Sequence, residues 1–266
     1  MNDFDLFLAL TAVMGLSIFL PLPILYSRRA QGRWAVGLNA AAIGILVFLL
    51  ADIFSDVAPT IYPAGYVADL GYSVTFLVAF LSAFVGLYAV ENLPRRGADP
   101  PPDGEGPPPG AGRDPVRAAL IIALGIGLQN LTEGLVFGAN WRAGAIGVLA
   151  VVFVGFLLQN LTEGFPIVSP FLGAPARTRL TTLVALFLLG GLPTLLGGAI
   201  GYGWSNTELL VAFDALAIGA IAYVILPMLR AAFRPLASPV LSATRDRLVY
   251  LGVGLGFTLG FLVNAV

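Results

Sequence analysis

Two glutamates and four side-chain amides carry the chemistry of a chain that is otherwise almost bare of reactive groups. The stretch Leu128-Gln-Asn-Leu-Thr-Glu-Gly134 recurs letter for letter as Leu158-Gln-Asn-Leu-Thr-Glu-Gly164. On a helix, residues four apart share a face, so Gln129 lies beside Glu133 and Gln159 beside Glu163. Each copy sits in the middle of a long apolar run. A carboxylate left charged and unpaired in hydrocarbon costs at least ~3 kcal/mol, and such a residue marks a pathway or a site. No arginine is placed deep enough in the sequence to pair with either glutamate. Each acid must therefore be protonated, hydrated in a cavity or neutralised by a cation, and one divalent cation balances both.

The candidate ligands are Gln129, Glu133, Gln159 and Glu163, with Asn130 and Asn160 as a flanking pair. All offer oxygen. Carboxylate and amide oxygens suit hard or borderline ions, whereas zinc favours nitrogen and sulfur. The chemistry alone shifts the balance towards manganese, ferrous iron or magnesium and leaves zinc open. Amides bridging a helix pair would account for the four amides, but not for two deep acids. Asp52, near the outer end of one apolar run, and Asp214, a turn or two into another, fit two descriptions. They are entry residues gathering cations at an outer mouth, or solvated charges at helix ends.

Composition bounds the rest. The 266 residues are 58% hydrophobic and 11% charged, with a mean hydropathy of +0.90. Soluble domains carry about 25% charged residues, so the chain reads as an all-α, polytopic integral membrane protein. Cysteine, histidine and lysine are absent, which removes disulfides, thiolate and imidazole ligands and Cys or His catalysis. Nothing points to nucleic acid or to an organic cofactor. No Ser/His, Ser/Lys or intramembrane aspartyl arrangement is present, so an enzyme is not expected.

Apolar runs of about 20 residues are read as membrane-spanning helices. Eight are expected, at about 5–26, 35–54, 69–92, 117–138, 144–168, 180–202, 208–229 and 247–265. Arginines favour the cytoplasmic side. With both termini outside, thirteen of the fourteen arginines fall inside and only Arg142 outside. The orientation expected is therefore N-out and C-out. Residues 94–116 are rich in proline and glycine and read as a disordered cytoplasmic loop. It separates spans 1–3 (residues 1–93) from spans 4–8 (residues 117–266) within one membrane domain. The outer segment 55–68 is expected to be irregular. The connection after Ala139 is very short, so spans 4 and 5 are antiparallel neighbours whose motif copies face each other near the midplane. Pro166 and Pro193 are expected to kink spans 5 and 6.

With these residues in view, the chain resembles the ZIP (Zrt/Irt-like) divalent metal transporters. Eight spans, outside termini and a variable loop between spans 3 and 4 match. In that family span 4 carries His-Asn-x-x-Glu-Gly, and span 5 a similar segment. Gln129-Asn130-Leu-Thr-Glu133-Gly134 and Gln159-Asn160-Leu-Thr-Glu163-Gly164 stand at those places, and residues 219–224 and 192–201 are similar to the patterns of spans 7 and 6. Three positions depart: Gln129 replaces the histidine, Leu192 stands where relatives have a metal-bridging glutamate, and an acid usual near Leu226 is missing. The resemblance, so modified, implies one metal site. It implies a divalent ion (zinc, iron, manganese or cadmium) as substrate, moved towards the cytoplasm across the cell membrane. It also implies a ZIP-like bundle, a homodimer in the bilayer, and elevator-like motion of helices 1, 4, 5 and 6 against 2, 3, 7 and 8.

Three functions stay open at this stage: a metal-cation transporter, a ZIP-like metal-binding or sensing protein with little flux, or a carrier of another cation. The orientation is tested with single cysteines, since none is native. Ser205→Cys is expected to react with an impermeant maleimide on intact cells, and Ala98→Cys only after permeabilisation. The reverse pattern would invert the topology.

Overall fold

The computed structural model describes residues 3–27, 32–63, 65, 67–92, 115–144, 146–172, 178–204, 206–233 and 239–264. Among them the regular elements are all helical: α1 (Asp3–Leu16), α2 (Gly32–Ile61), α3 (Leu70–Asn92), α4 (Pro115–Arg142), α5 (Ile146–Val168), α6 (Leu180–Gly203), α7 (Thr207–Ala232) and α8 (Pro239–Asn264). Each of the eight expected spans finds its helix. Among the described residues seven helices are long and apolar enough to cross a membrane. The protein is a polytopic α-helical membrane protein. Residues 94–114 of the expected loop, with Arg95, Arg96 and Arg113, lie outside the described residues, as do Arg28, Arg29, Arg177 and Arg234.

Proline sets several boundaries. α1 gives way after Leu16 to short 3-10 turns, Ser17–Phe19 and Leu22–Tyr26, because Pro21 and Pro23 cannot donate to the ladder. α4 and α8 each begin on a proline, Pro115 and Pro239, where the missing N–H is unpaired in any case. α8 therefore starts eight residues before the expected 247. The segment 55–68 is not irregular throughout: α2 continues through Pro59 to Ile61. Extending the helix buries Val57 and Ile61, at 2% and 4% exposure, and this packing outweighs one lost backbone bond. Pro166 and Pro193 lie inside helices assigned without a break.

The helices form two groups. α4 packs along α6, with α1 and α5 against that pair. α2 packs along α8, α3 along α7, and α2 also touches α7. Contacts of α4 with α7 and of α2 with α5 join the groups. Within each group the backbones approach closely at small residues, as membrane helices do. A Cβ added at Gly134 would meet the Thr194 carbonyl oxygen at 2.1 Å, and one at Gly197 would meet the Leu131 oxygen at 1.9 Å. In the other group, a Cβ at Gly256 would meet the Ala41 oxygen at 2.0 Å.

Arg142, the one arginine expected outside, has a structural partner. Its guanidinium donates to the Tyr202 and Gly203 carbonyl oxygens at the C-terminus of α6. A cation there complements the negative end of the helix and ties α4 to α6.

The close α4–α6 contact yields a prediction. Gly197→Ala must push the two backbones apart, and forced overpacking costs about 1–3 kcal/mol. Thermal unfolding of the detergent-solubilised variant is expected at a clearly lower temperature than the wild type. An unchanged transition would mean the pair is looser than described.

Candidate metal centre

The antiparallel hairpin of α4 and α5 builds the site. Gly144 closes the turn with φ of 69°, a left-handed conformation that costs glycine little. Gln129 and Gln159 lie equally far from it in sequence. The repeat therefore runs in opposite directions on the two helices. Glu133 is offset one way from the level of the glutamines and Glu163 the other way, each by about 6 Å of helix rise. A side chain at the middle level is placed to reach both acids.

Gln129 does so. Its Nε2 donates to Glu133 Oε1 at 3.1 Å and to Glu163 Oε1 at 2.9 Å. Both acid oxygens share one nitrogen, so their separation cannot exceed these two lengths laid end to end. Modest rotation of a carboxyl brings both within the ~2.3–2.6 Å reach of a single ion. Asn160 Nδ2 donates to Glu133 Oε2 at 3.1 Å and to the Phe156 carbonyl at 2.9 Å. Asn130 Nδ2 donates to the Gly190 carbonyl of α6 at 2.9 Å, and the same side chain also acts on Glu163. Gln159 is buried, yet among the described residues it bonds to neither carboxyl.

The sequence repeat is thus exact in letters but not in use. Gln129 and Asn160, from different positions of the two copies, hold the acids together. Asn130 fixes the pair to α6 through the Gly190 carbonyl. Thr132 and Thr162 bond within their own helices, to the Leu128 and Gln159 carbonyls.

All six motif residues are buried, Glu163 fully and Glu133 to 6% exposure. Among the described residues no arginine acts on either glutamate. Four buried oxygens of the motif accept no hydrogen bond among the described residues: Gln129 Oε1, Asn130 Oδ1, Asn160 Oδ1 and Glu163 Oε2. A buried acceptor without a donor costs about 1–3 kcal/mol. A cation satisfies several such oxygens at once, so the donor chemistry fits one. Among the described residues no group of three or more His, Cys, Asp or Glu forms a metal cluster. The arrangement offers two carboxylates and otherwise amide oxygen.

Asp52 and Asp214 lie on α2 and α7, outside the α4–α5 hairpin. Asp52 lies well inside α2, because that helix continues to Ile61; it is half-buried and its charge acts on both glutamates. Asp214 is half-buried on α7 and feels the charge of Asp56 on α2. Asp56 was not singled out from the sequence, and only its spacing of one turn from Asp52 signals it. Leu192 and Leu226 are 49% and 45% exposed. Neither side chain joins the buried pair. Glu91, at the end of α3, accepts a hydrogen bond from the Tyr223 hydroxyl of α7.

The bridging amide has a measurable consequence. Gln129→Ala removes a donor from both acids, at about 1–3 kcal/mol for each buried group left unmatched. Denaturant or thermal unfolding in detergent is expected to show this loss. The double variant Gln129→Ala/Glu163→Ala should be less destabilised than the two single losses combined. Additive losses would mean that the two side chains do not interact.

The sequence matches no protein-family model and no curated protein.

Proposed function

We propose that this chain is a divalent metal-cation transporter of the ZIP kind, which moves its ion towards the cytoplasm through a single site on α4 and α5. The observation that carries this reading is the union of Glu133 and Glu163 through one Gln129 nitrogen, in a buried pocket of donorless oxygens. Two negative charges there call for a doubly positive counterpart, and an ion that must also leave is better held by moderate oxygen ligands than by thiolates. Glu133, Glu163, Gln129 and Gln159 would ligate the ion, with Asn130 and Asn160 behind them. Asp52 and Asp214 would draw cations from the outer side. The assignment to the plasma membrane and a homodimer follows from the resemblance.

Transport by rigid-body movement has support in the packing. Sub-van-der-Waals glycine contacts occur within the group α1, α4, α5 and α6 and within the group α2, α3, α7 and α8. Across the two, Gly125 on α4 faces Ala220 on α7 at an ordinary 3.4 Å. A contact of that kind can slide without prising backbones apart.

A second reading keeps the site but not the flux: a metal-binding or sensing membrane protein. It is favoured by the amide donors, which already occupy three of the four carboxyl oxygens. The two readings separate in proteoliposomes. The transporter should accumulate manganese or zinc down an imposed gradient, and Glu133→Ala or Glu163→Ala should reduce uptake to that of empty vesicles. Binding by calorimetry without uptake under any gradient would favour the second reading. Unchanged uptake in both alanine variants would remove the site.

A further inference from the structure

The Gln129 amide has two opposed capacities at the point where the carboxyls meet. Its nitrogen donates to both acids, at 3.1 and 2.9 Å. Its oxygen, on a side chain only 2% exposed, has no donor among the described residues. A cation bridging Glu133 Oε1 and Glu163 Oε1 must take the place held by Nε2, since a nitrogen bearing protons and a metal ion repel at one point. Rotation about the last side-chain torsion exchanges the two ends of the amide. It moves the nitrogen away and offers Oε1 to the ion. The cation then meets two carboxylates and an amide carbonyl, with the donorless Glu163 Oε2 beside them.

We propose that Gln129 is the selectivity-determining residue of the site, and that the oxygen it turns inward narrows the advantage of zinc and admits a hard divalent cation, of the magnesium and manganese class, as substrate. This rests on the reading of the chain as a divalent-cation carrier. Carboxylate, carbonyl and water suit magnesium, calcium and manganese, whereas imidazole and thiolate suit zinc. The chain has no histidine and no cysteine to supply the latter. The next acid acting on both glutamates, Asp52, is again an oxygen donor. Intrinsic affinity for divalent ions still rises from manganese to zinc in any given ligand set. The selectivity set by Gln129 is therefore read as a ratio between ions, and as its change when the donor at 129 changes.

The experiment uses the purified full chain in detergent, with manganese, magnesium and zinc titrated separately by calorimetry. Gln129→His replaces the amide oxygen by an imidazole nitrogen, and the zinc-to-manganese affinity ratio is expected to rise at least about tenfold. Gln129→Glu keeps an oxygen donor, and its ratio is expected to stay close to that of the wild type. Cobalt supplies a second readout that does not need the histidine variant to fold. The wild type should show the weak bands of six-coordinate, oxygen-bound cobalt. An equal ratio in wild type and Gln129→His, or intense four-coordinate cobalt bands in the wild type, overturns the assignment of selectivity to Gln129 and leaves the transport reading standing. A wild type that binds none of these ions overturns both.

Discussion

A carboxyl group surrounded by apolar helices has to find its compensation within a few ångström, because the medium around it offers none. Glu133 and Glu163 are both buried, and among the described residues no arginine acts on them. Their compensation comes from side chains of the same hairpin: Gln129 reaches both, and Asn160 takes the remaining oxygen of Glu133. The surrounding architecture follows from holding these four groups in register. The short turn at Gly144 fixes the offset of α4 against α5, and Asn130 fixes α4 against α6.

That network is incomplete in a specific way. Donors are fewer than acceptors, and the surplus consists of oxygen atoms. Buried polar networks are stable when fully satisfied and costly when only partly so. A surplus of acceptors around two acids is the pattern that a cation completes, whereas a purely structural amide bridge would end with donors and acceptors matched.

The remaining packing serves rigidity. Backbone-to-backbone contacts at glycine lock α1, α4, α5 and α6 together and, separately, α2, α3, α7 and α8. Such contacts require both helices to keep one relative position, since any Cβ or axial slip would create a clash. The bonded motif residues belong wholly to the first group. The contact between α4 and α7 lacks this constraint.

Much of this was legible in the residues themselves. The helices and the identity of the buried acids follow from hydropathy and from the cost of charge in lipid, neither of which needs a fold; the limits of α2 and α8 do not follow from these. The antiparallel pairing of the motif helices followed from a connection too short to allow anything else. Sequence reading went astray at Pro59, where a local rule predicted a break and burial of Val57 and Ile61 overrode it. It also treated the two motif copies as equivalent, since identical letters carry identical propensities. Only the tertiary structure could break that equivalence. α6 packs beside α4 and not to the same extent beside α5, so Asn130 reaches a carbonyl of the neighbouring helix, while Asn160 bonds a carbonyl of its own helix together with Glu133. Residue type determined which groups would need a partner, and the packing of neighbouring helices decided which partner each of them received.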